Sequence, residues 1–214
     1  MQLQSFTFNM FMENTYLLWD EAGVCAIVDP GCLFEREQMV LQDYINQHGL
    51  QPTYLLNTHC HLDHVFGNAW AERTYGLRPW IHEQEQGILQ RLPATAAHWG
   101  IDGVEASPPP AGLLRAGSTF GVGSLELEVR WAPGHSPGSV LLYHAESGQA
   151  LVGDVIFQQS IGRTDLPGGS HAQLIESIHK QVLSMPDATR LYPGHGPDTT
   201  VGHERVHNPF LISN

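Results

Sequence analysis

Three imidazoles and one carboxylate stand within six consecutive positions of this sequence, at His59, His61, Asp63 and His64. Such crowding is hard to explain as structure alone, whereas neutral imidazole nitrogens and carboxylate oxygens are ligands that Zn²⁺ accepts. Residues 58–64 follow a short apolar stretch and form a predicted loop, which can direct adjacent side chains to two neighbouring points. The segment therefore predicts a metal centre, in which His59 and His61 serve one ion and Asp63 and His64 the next.

Three further candidate ligands each stand beside glycine at the end of a predicted strand: His135 in GHSPG at 134–138, Asp154 after Gly153, and His195 between two glycines. Glycine lets the backbone turn sharply and approach a metal with no Cβ in the way. A carboxylate such as Asp154 can give one oxygen to each of two cations, so it is the natural bridge. The remaining eight histidines are expected to be surface, capping or packing residues: His48, His82, His98, His144, His171, His179, His203 and His207.

Hydrophobic periodicity predicts strands and helices that alternate in both halves of the chain. The predicted strands are 6–18 and 24–28, paired as a hairpin, and then 54–56, 79–82, 125–131, 139–143, 150–152 and 190–192. The predicted helices are 34–48 with Gly49 as its cap, a helix from just after Gly67 to Tyr75, and 174–183, whereas 84–112 is only weakly helical. This alternation favours an α/β layered protein over an all-β sandwich. A length of 214 residues fits one domain with a substantial core.

Composition and charge restrict the partners of the protein. Apolar residues make up 42% of the chain and charged residues 15%, which is typical of a globular protein. The formal net charge of −12 argues against a nucleic-acid partner. Residues 1–11 contain no basic region and no long apolar run, so we expect no signal peptide, no membrane span and a cytoplasmic location. The cysteines show no CxxC spacing and are expected to be buried free thiols: Cys25, Cys32 and Cys60.

Four motifs together resemble the metallo-β-lactamase superfamily: HxHxDH at 59–64, GHSPGS at 134–139, GDVIF at 153–157 and PGHGPDTT at 193–200. They occur in the order of that family and span most of the chain. The segments ENTYLL, AIVDPG, IGRTD at 161–165 and NPF at 208–210 are most similar to the glyoxalase II-like branch, in its short bacterial type. The resemblance implies a single domain, residues 1–214, with a four-layer αββα sandwich and metals at one edge between the sheets.

The resemblance also implies a division of the ligands between two Zn²⁺ ions per chain, with Fe or Mn as alternative metals. The first ion would take His59, His61 and His135, the second would take Asp63, His64 and His195, and Asp154 would bridge both. Asp63 and Asp154 are the catalytic carboxylates that this pattern predicts. Penicillin-degrading members replace one ligand with Cys, and flavodiiron oxygen reductases carry Glu where His61 stands; neither change is present here.

The substrate contacts are less specific in the sequence. In glutathione-using members of the branch a cation on the 161–165 loop contacts glutathione, and Arg163 is the matching candidate; a brace between Arg163 and Asp165 is the alternative. Tyrosines that accompany this cation in those members are replaced by Asp165 and Pro197. Residues 84–112 are a candidate for the wall of the substrate site.

Three functions follow from the ligand set. The first is hydrolysis of a small-molecule thioester, S-lactoylglutathione or a related 2-hydroxyacyl thioester, by a hydroxide that bridges the two metals. The second is a persulfide dioxygenase with one Fe(II), held by His59, His135 and Asp154. The third is a metal-binding protein without catalysis, which ranks lowest because a purely structural zinc site is normally closed by four ligands.

Overall fold

The computed structural model describes residues 1–212, and two six-stranded sheets organise them. The first sheet has its strands in chain order, with antiparallel pairs from β1 to β3 and parallel pairs from β3 to β6. These strands are β1 Gln2–Phe8, β2 Glu13–Trp19, β3 Val24–Val28, β4 Gln51–Leu56, β5 Pro79–Ile81 and β6 Gly112–Leu113.

The second half of the chain forms eight strands: β7 Thr119–Val122, β8 Leu125–Trp131, β9 Val140–His144, β10 Gln149–Gly153, β11 Ile156–Phe157, β12 Ser160–Ile161, β13 Arg190–Pro193 and β14 Thr199–Thr200. The second sheet has the order β14-β13-β10-β9-β8-β7, while β11 and β12 form a separate two-stranded ribbon. Only the β10–β13 pair of the second sheet is parallel. The carboxyl ends of β10 and β13 therefore meet at one edge.

Helices cover the outer faces of both sheets and fill the connections. They are α1 Glu35–Gln47, α2 Leu62–Val65, α3 Asn68–Tyr75, α4 Gln86–Gln90, α5 Leu92–His98, α6 His171–Ser177 and α7 Val201–His207. A 3₁₀ turn at Glu83–Glu85 precedes α4, and a π-helical turn at Ile178–Val182 extends α6. Among the described residues no helix has the length and apolar character needed to cross a bilayer.

Successive residues of a strand face opposite sides of its sheet, and β2 uses both sides because all of its residues are buried. Tyr16 and Leu18 face the second sheet, where they join a core that includes Val129 and Leu142. Leu17, between them, faces outward into a cluster formed with helices α1 and α3. A matching cluster joins the outer face of the second sheet to α6, the π-helical turn and α7. The layers are therefore helix, sheet, sheet, helix, which confirms the predicted αββα sandwich.

The single strand predicted over residues 6–18 is wrong. Asn9 and Met12 adopt left-handed φ angles of 52° and 58° and turn the chain between β1 and β2. The apolar run through this turn conceals it in the sequence, although Asn tolerates the left-handed region better than most residues. The helix predicted over 34–48 is confirmed as α1, and Gly49, with φ of 62°, directly follows its cap residue His48. The helix predicted over 174–183 begins earlier, at His171. β7 and α7 were not predicted.

Candidate metal centre and its cleft

The first ligand segment leaves the carboxyl end of β4 and enters the short helix α2. Its backbone is fixed by Asp29, at the end of β3, whose carboxylate accepts hydrogen bonds from the backbone N–H of Thr58 at 2.7 Å and from the Thr58 hydroxyl. His61 precedes α2 in an extended conformation, and Asp63 and His64 lie within that helix. The turn from strand to helix therefore spreads four consecutive candidate ligands over two neighbouring points.

The first cluster is formed by the imidazoles of His59, His61 and His135, which come from two separate loops. Nδ1 of His61 lies 2.8 Å from Nε2 of His135, and that Nε2 lies 3.2 Å from Nε2 of His59. Burial lowers the pKa of all three imidazoles, that of His61 to about 3. The rings are therefore neutral near pH 7, and their nitrogens converge on one position, as a cation requires.

The second cluster is formed by Asp63, His64 and His195. Oδ2 of Asp63 lies 3.2 Å from Nε2 of His195 and 3.8 Å from Nε2 of His64. Burial opposes charge on both histidines, but the carboxylates of Asp154 and Asp63 raise the pKa of His64 well above its usual value and that of His195 to about 9. This cluster attracts positive charge, so metal binding there would displace protons.

Asp154 stands between the two clusters. Its Oδ1 lies 3.4 Å from Nε2 of His64, and its Oδ2 lies 3.5 Å from Nε2 of His135 and 3.5 Å from Nε2 of His195. Burial would raise the pKa of this carboxyl, but the surrounding histidines, above all His64, lower it well below its usual value. Asp154 is therefore ionised, and its two oxygens face both clusters.

The chemistry of the donors supports metal binding at both clusters. Nε2 of His64 and Oδ1 of Asp154 are buried and have no hydrogen-bond partner among the described residues. Buried polar groups without partners are costly, and a divalent cation would satisfy these atoms. Within each of the two clusters the candidate ligand atoms lie within 4.8 Å of one another. The residues present therefore fit two metal ions, and the seven predicted ligands all lie together.

Three of the rings, those of His64, His135 and His195, are oriented by a partner on the nitrogen that faces away from the clusters. Nδ1 of His135 lies 2.8 Å from the Arg163 carbonyl, and Nδ1 of His195 lies 3.0 Å from the Phe11 carbonyl in the turn between β1 and β2. Nδ1 of His64 lies 3.3 Å from Oδ2 of Asp29. An Nδ1–H that donates to such an acceptor leaves the Nε2 lone pair free for a metal. The turn after β1 thus supports the centre, although it holds no ligand.

Glu85, in the 3₁₀ turn before α4, joins the two loops that carry the first cluster. Its buried carboxylate accepts a hydrogen bond from the backbone N–H of Cys60 at 2.7 Å and another from the backbone N–H of Gly138 at 2.7 Å, and the Ser136 hydroxyl also donates to it. Cys60 lies between His59 and His61, and Ser136 follows His135. Glu85 therefore sets how closely the two ligand loops approach.

Gly194 is required by the close approach of Asp154. A Cβ atom at Gly194 would lie 2.2 Å from Oδ1 of Asp154 and 2.6 Å from Cε1 of His64. Any larger residue would push the carboxylate out of its position between the clusters. This is the physical basis of the glycine that precedes His195.

A cleft of about 800 Å³ opens beside the two clusters, with His61, Asp63, His135, Asp154 and His195 in its wall. Apolar side chains form most of the remaining wall. Helices α4 and α5 and the residue after α5 contribute Ile88, Leu92 and Trp99 to it. Phe11, Phe157 and Leu166 also line the cleft. Part of the segment 84–112, the candidate substrate wall, therefore does line the cleft.

Arg163 and Asp165 form a brace. Nε and Nη2 of Arg163 each donate to one oxygen of Asp165 at 2.7 Å, and both side chains are exposed. Arg163 also lines the cleft. Its charge is therefore neutralised within its own loop before any substrate arrives.

Among the residues that support or line the site, four ionisable ones were not selected from the sequence: Asp29, Glu85, Arg91 and His98. Asp29 was visible only as the end of a strand, in DPG. The others lie in the weakly patterned segment, where a single carboxylate or cation gives no motif. His98 is exposed, as expected for a surface residue, but it lines the cleft. Cys60 is a buried free thiol, as predicted, beside the first cluster.

Comparisons with known proteins agree with this geometry. The family described as "Metallo-beta-lactamase superfamily" matches residues 9–195. A protein of Haemophilus influenzae named hydroxyacylglutathione hydrolase GloC is 34% identical over 214 residues, which cover 100% of this chain and 99% of that protein.

Two solved structures are similar over nearly their whole length. One is described as the BLEG-1 B3 metallo-beta-lactamase, with a TM-score of 0.90 and 34% identity, and covers 99% of this chain and 100% of its own. The other is TTHA1623 in a di-iron-bound form, with a TM-score of 0.87 and 36% identity, and covers 97% of this chain and 100% of its own.

Proposed function

The chain belongs to the metallo-beta-lactamase superfamily, and on that premise we propose that it is a binuclear metal-dependent hydrolase of thioesters. The proposed substrate is S-lactoylglutathione or a related 2-hydroxyacyl thioester. The name of the Haemophilus relative, a hydroxyacylglutathione hydrolase, supports this class. The observation that carries the proposal is the position of Asp154, whose carboxylate faces both ligand clusters in the wall of an open cleft.

The two metals, which we propose to be Zn²⁺, would be held by the residues that the clusters bring together. His59, His61 and His135 would hold the first ion and Asp63, His64 and His195 the second, while the carboxylate of Asp154 faces both clusters. Such a pair polarises a carbonyl and lowers the pKa of a water molecule to about 7.

Asp63 is proposed to orient the attacking water. Burial would raise the pKa of Asp63, but His64 and His195 lower it below its usual value, so the side chain is an ionised hydrogen-bond acceptor. The side chain is 14% exposed and lines the cleft. A water molecule between Asp63 and the substrate would therefore be oriented by a hydrogen bond that it donates to this carboxylate.

No protein nucleophile is needed in this scheme. Cys60 is 1% exposed, and burial raises the pKa of its thiol well above the usual value, which disfavours a thiolate. The Ser136 hydroxyl donates to Glu85. The thiol of the substrate has a pKa near 8.5 and leaves as a thiolate without a protonated side chain beside it.

The test is metal-dependent release of thiol from a panel of thioesters by zinc-loaded protein. We expect turnover of S-lactoylglutathione, and a loss of more than about 100-fold in kcat/KM for Asp154→Asn, since loss of an outer-shell partner alone costs about 10–100-fold. Asp43→Asn, an exposed carboxylate on α1, is the matched control and should keep full activity. Absence of metal-dependent thiol release across the panel would overturn the substrate assignment.

Metal analysis and oxygen uptake distinguish the dioxygenase alternative. Two zinc ions per chain and no oxygen consumption with glutathione persulfide are the expected results. One iron per chain with oxygen consumption would replace the hydrolase by the dioxygenase.

Hydrolysis of β-lactams is a second candidate activity. It is favoured by the similarity to BLEG-1 over the full chain, at a TM-score of 0.90. The same zinc-loaded protein can be offered a chromogenic cephalosporin beside the thioesters. We expect the thioester to have the higher kcat/KM, and the reverse order would make β-lactam hydrolysis the main activity.

A further inference from the structure

Positive charge is scarce in this protein, and the cleft holds part of it. The chain has 10 Lys and Arg residues against 22 Asp and Glu residues. Two of the arginines, Arg91 and Arg163, line the cleft. Arg163 is held by Asp165 through two hydrogen bonds. The side chain of Arg91 has no ion pair or hydrogen bond with any residue in the described part of the chain, so its charge is available to a ligand.

The backbone places Arg91 at the junction of α4 and α5, where it ends the first helix and begins the second. Its guanidinium lies along α4 toward Gly87, four residues earlier: a Cβ atom on Gly87 would be 3.5 Å from Nη1. Ile88 and Leu92, beside it on the same two helices, line the cleft as well. The guanidinium thus lies at the margin of an apolar wall, and its planar fork suits a carboxylate or phosphate.

The remaining charges in the cleft favour an anionic substrate. Asp63 and Asp154 supply two negative charges, which two divalent cations would more than offset. The Arg163–Asp165 pair adds no net charge. The formal net charge of −12 over the whole chain repels anions, so a cation in the cleft wall helps to hold one.

We propose that Arg91 binds an anionic group on the thiol portion of the substrate, while the α4–α5 wall packs against the apolar part of the same molecule. The inference rests on the proposed thioesterase function and names the recognition element of that site. The substrate class is an acyl thioester whose thiol carries a carboxylate or phosphate, and Arg163 is a brace rather than the anion-binding residue.

The test compares three thioesters with the same acyl group: a glutathione thioester, which carries carboxylates, a coenzyme A thioester, which carries phosphates, and a neutral N-acetylcysteamine thioester. For Arg91→Gln we expect kcat/KM to fall about tenfold on at least one anionic thioester, because the substitution removes a hydrogen-bonding charge from a partly exposed site. For the neutral thioester, kcat/KM should change less than twofold. The anionic thioester with the larger fall in kcat/KM shows whether the bound group is a carboxylate or a phosphate.

Arg78→Gln is the matched control, because Arg78 is exposed, lies outside the cleft wall and changes the net charge equally. It should leave all three thioesters unaffected. The proposal would be overturned if Arg91→Gln lowered kcat/KM as much on the neutral thioester as on the anionic ones. It would also be overturned if Arg78→Gln lowered kcat/KM as much as Arg91→Gln. Increasing ionic strength should reduce the difference in kcat/KM between wild type and Arg91→Gln on the anionic thioesters.

A binding measurement separates this inference from the proposed function. S-hexylglutathione carries the same carboxylates and cannot be hydrolysed as a thioester. Calorimetric titration of the zinc-loaded protein should show about tenfold weaker binding in Arg91→Gln. If binding weakens but no thioester is cleaved, the anion site stands and the thioesterase proposal fails. If thioesters are cleaved and Arg91→Gln changes neither this binding nor kcat/KM on the coenzyme A thioester, the anion site fails alone.

Discussion

Replacement of Glu85 by Gln tests whether this carboxylate sets the approach of the two ligand loops. One carboxylate oxygen accepts from Cys60 N–H, and the other accepts from Gly138 N–H and the Ser136 hydroxyl. An amide has one acceptor oxygen and one NH₂ donor, so in either orientation its NH₂ must face one of the two backbone N–H groups. Ser136 can reverse its hydroxyl, but a backbone N–H cannot reverse.

The expected cost follows from this count of donors. A buried N–H left without an acceptor costs about 1–3 kcal/mol. Burial raises the pKa of Glu85 although all three of its hydrogen bonds lower it, so the ionised side chain carries a desolvation cost that the amide relieves. We therefore expect Glu85→Gln to lower the free energy of unfolding by about 1–2 kcal/mol, and Glu85→Leu, which orphans both N–H groups, by roughly twice as much.

The metal readout separates this effect from general destabilisation. Cys60 and Ser136 adjoin the ligands of the first cluster, whereas the second cluster is held by Asp29 and the Phe11 carbonyl. Chelator competition should therefore show weaker binding of the first ion by about 10–100-fold, with the second changed much less. Urea unfolding of the metal-free proteins measures the change in the free energy of unfolding.

Glu83→Gln is the control, because Glu83 is exposed two residues earlier in the same turn. It should change stability by less than about 0.5 kcal/mol. Equal weakening of both metals in Glu85→Gln, or a stability change no larger than that of the control, would refute the reasoning.

Three further predictions follow from single contacts. Gly194→Ala should abolish binding of the second metal, measured by metal content, because its Cβ would lie 2.2 Å from Oδ1 of Asp154. Hydrogen bonds, above all from the Ser124 backbone, lower the pKa of Asp20. Its stabilising effect is therefore present above the unfolded pKa of about 3.9 and is lost as the pH falls through the lower folded pKa. The urea midpoints of Asp20→Asn and wild type should differ at pH 7 and converge in acid, once the carboxyl of the folded protein is protonated. Burial raises the pKa of all three thiols, that of Cys25 to about 12. We therefore expect a disulfide reagent to modify no cysteine in the native protein and three cysteines in denaturant. Rapid labelling of the native protein would contradict this.

The candidate ligands could be predicted because their signal is local. His59, His61, Asp63 and His64 are adjacent in sequence, and the other three stand beside glycines at strand ends. The residues that hold these ligands in position carry no such local signal in the sequence. Asp29 and Glu85 are single carboxylates whose partners lie 29, 25 and 53 residues away, so only the folded chain shows what they hold.

The convergence of the ligands depends on sheet packing that the sequence does not display. Asp154 and His195 follow β10 and β13, which are parallel neighbours, so their carboxyl ends share an edge. The segment 58–64 follows β4 in the other sheet. Periodicity identifies each strand but not which strands pair, and the turn after β1 was concealed by an apolar run.

The metal centre and the substrate wall have different structural origins, and this has a consequence for specificity. The candidate ligands leave strand ends or the loops beside them, so their positions are tied to the two sheets and the core between them. Arg91, Ile88 and Trp99 instead lie in the connection between β5 and β6, which contributes part of the cleft wall and no candidate ligand. If the proposed thioesterase function holds, changes in that connection should alter which thiol is recognised and leave the candidate metal centre intact. Glu85 is the residue that joins the two parts.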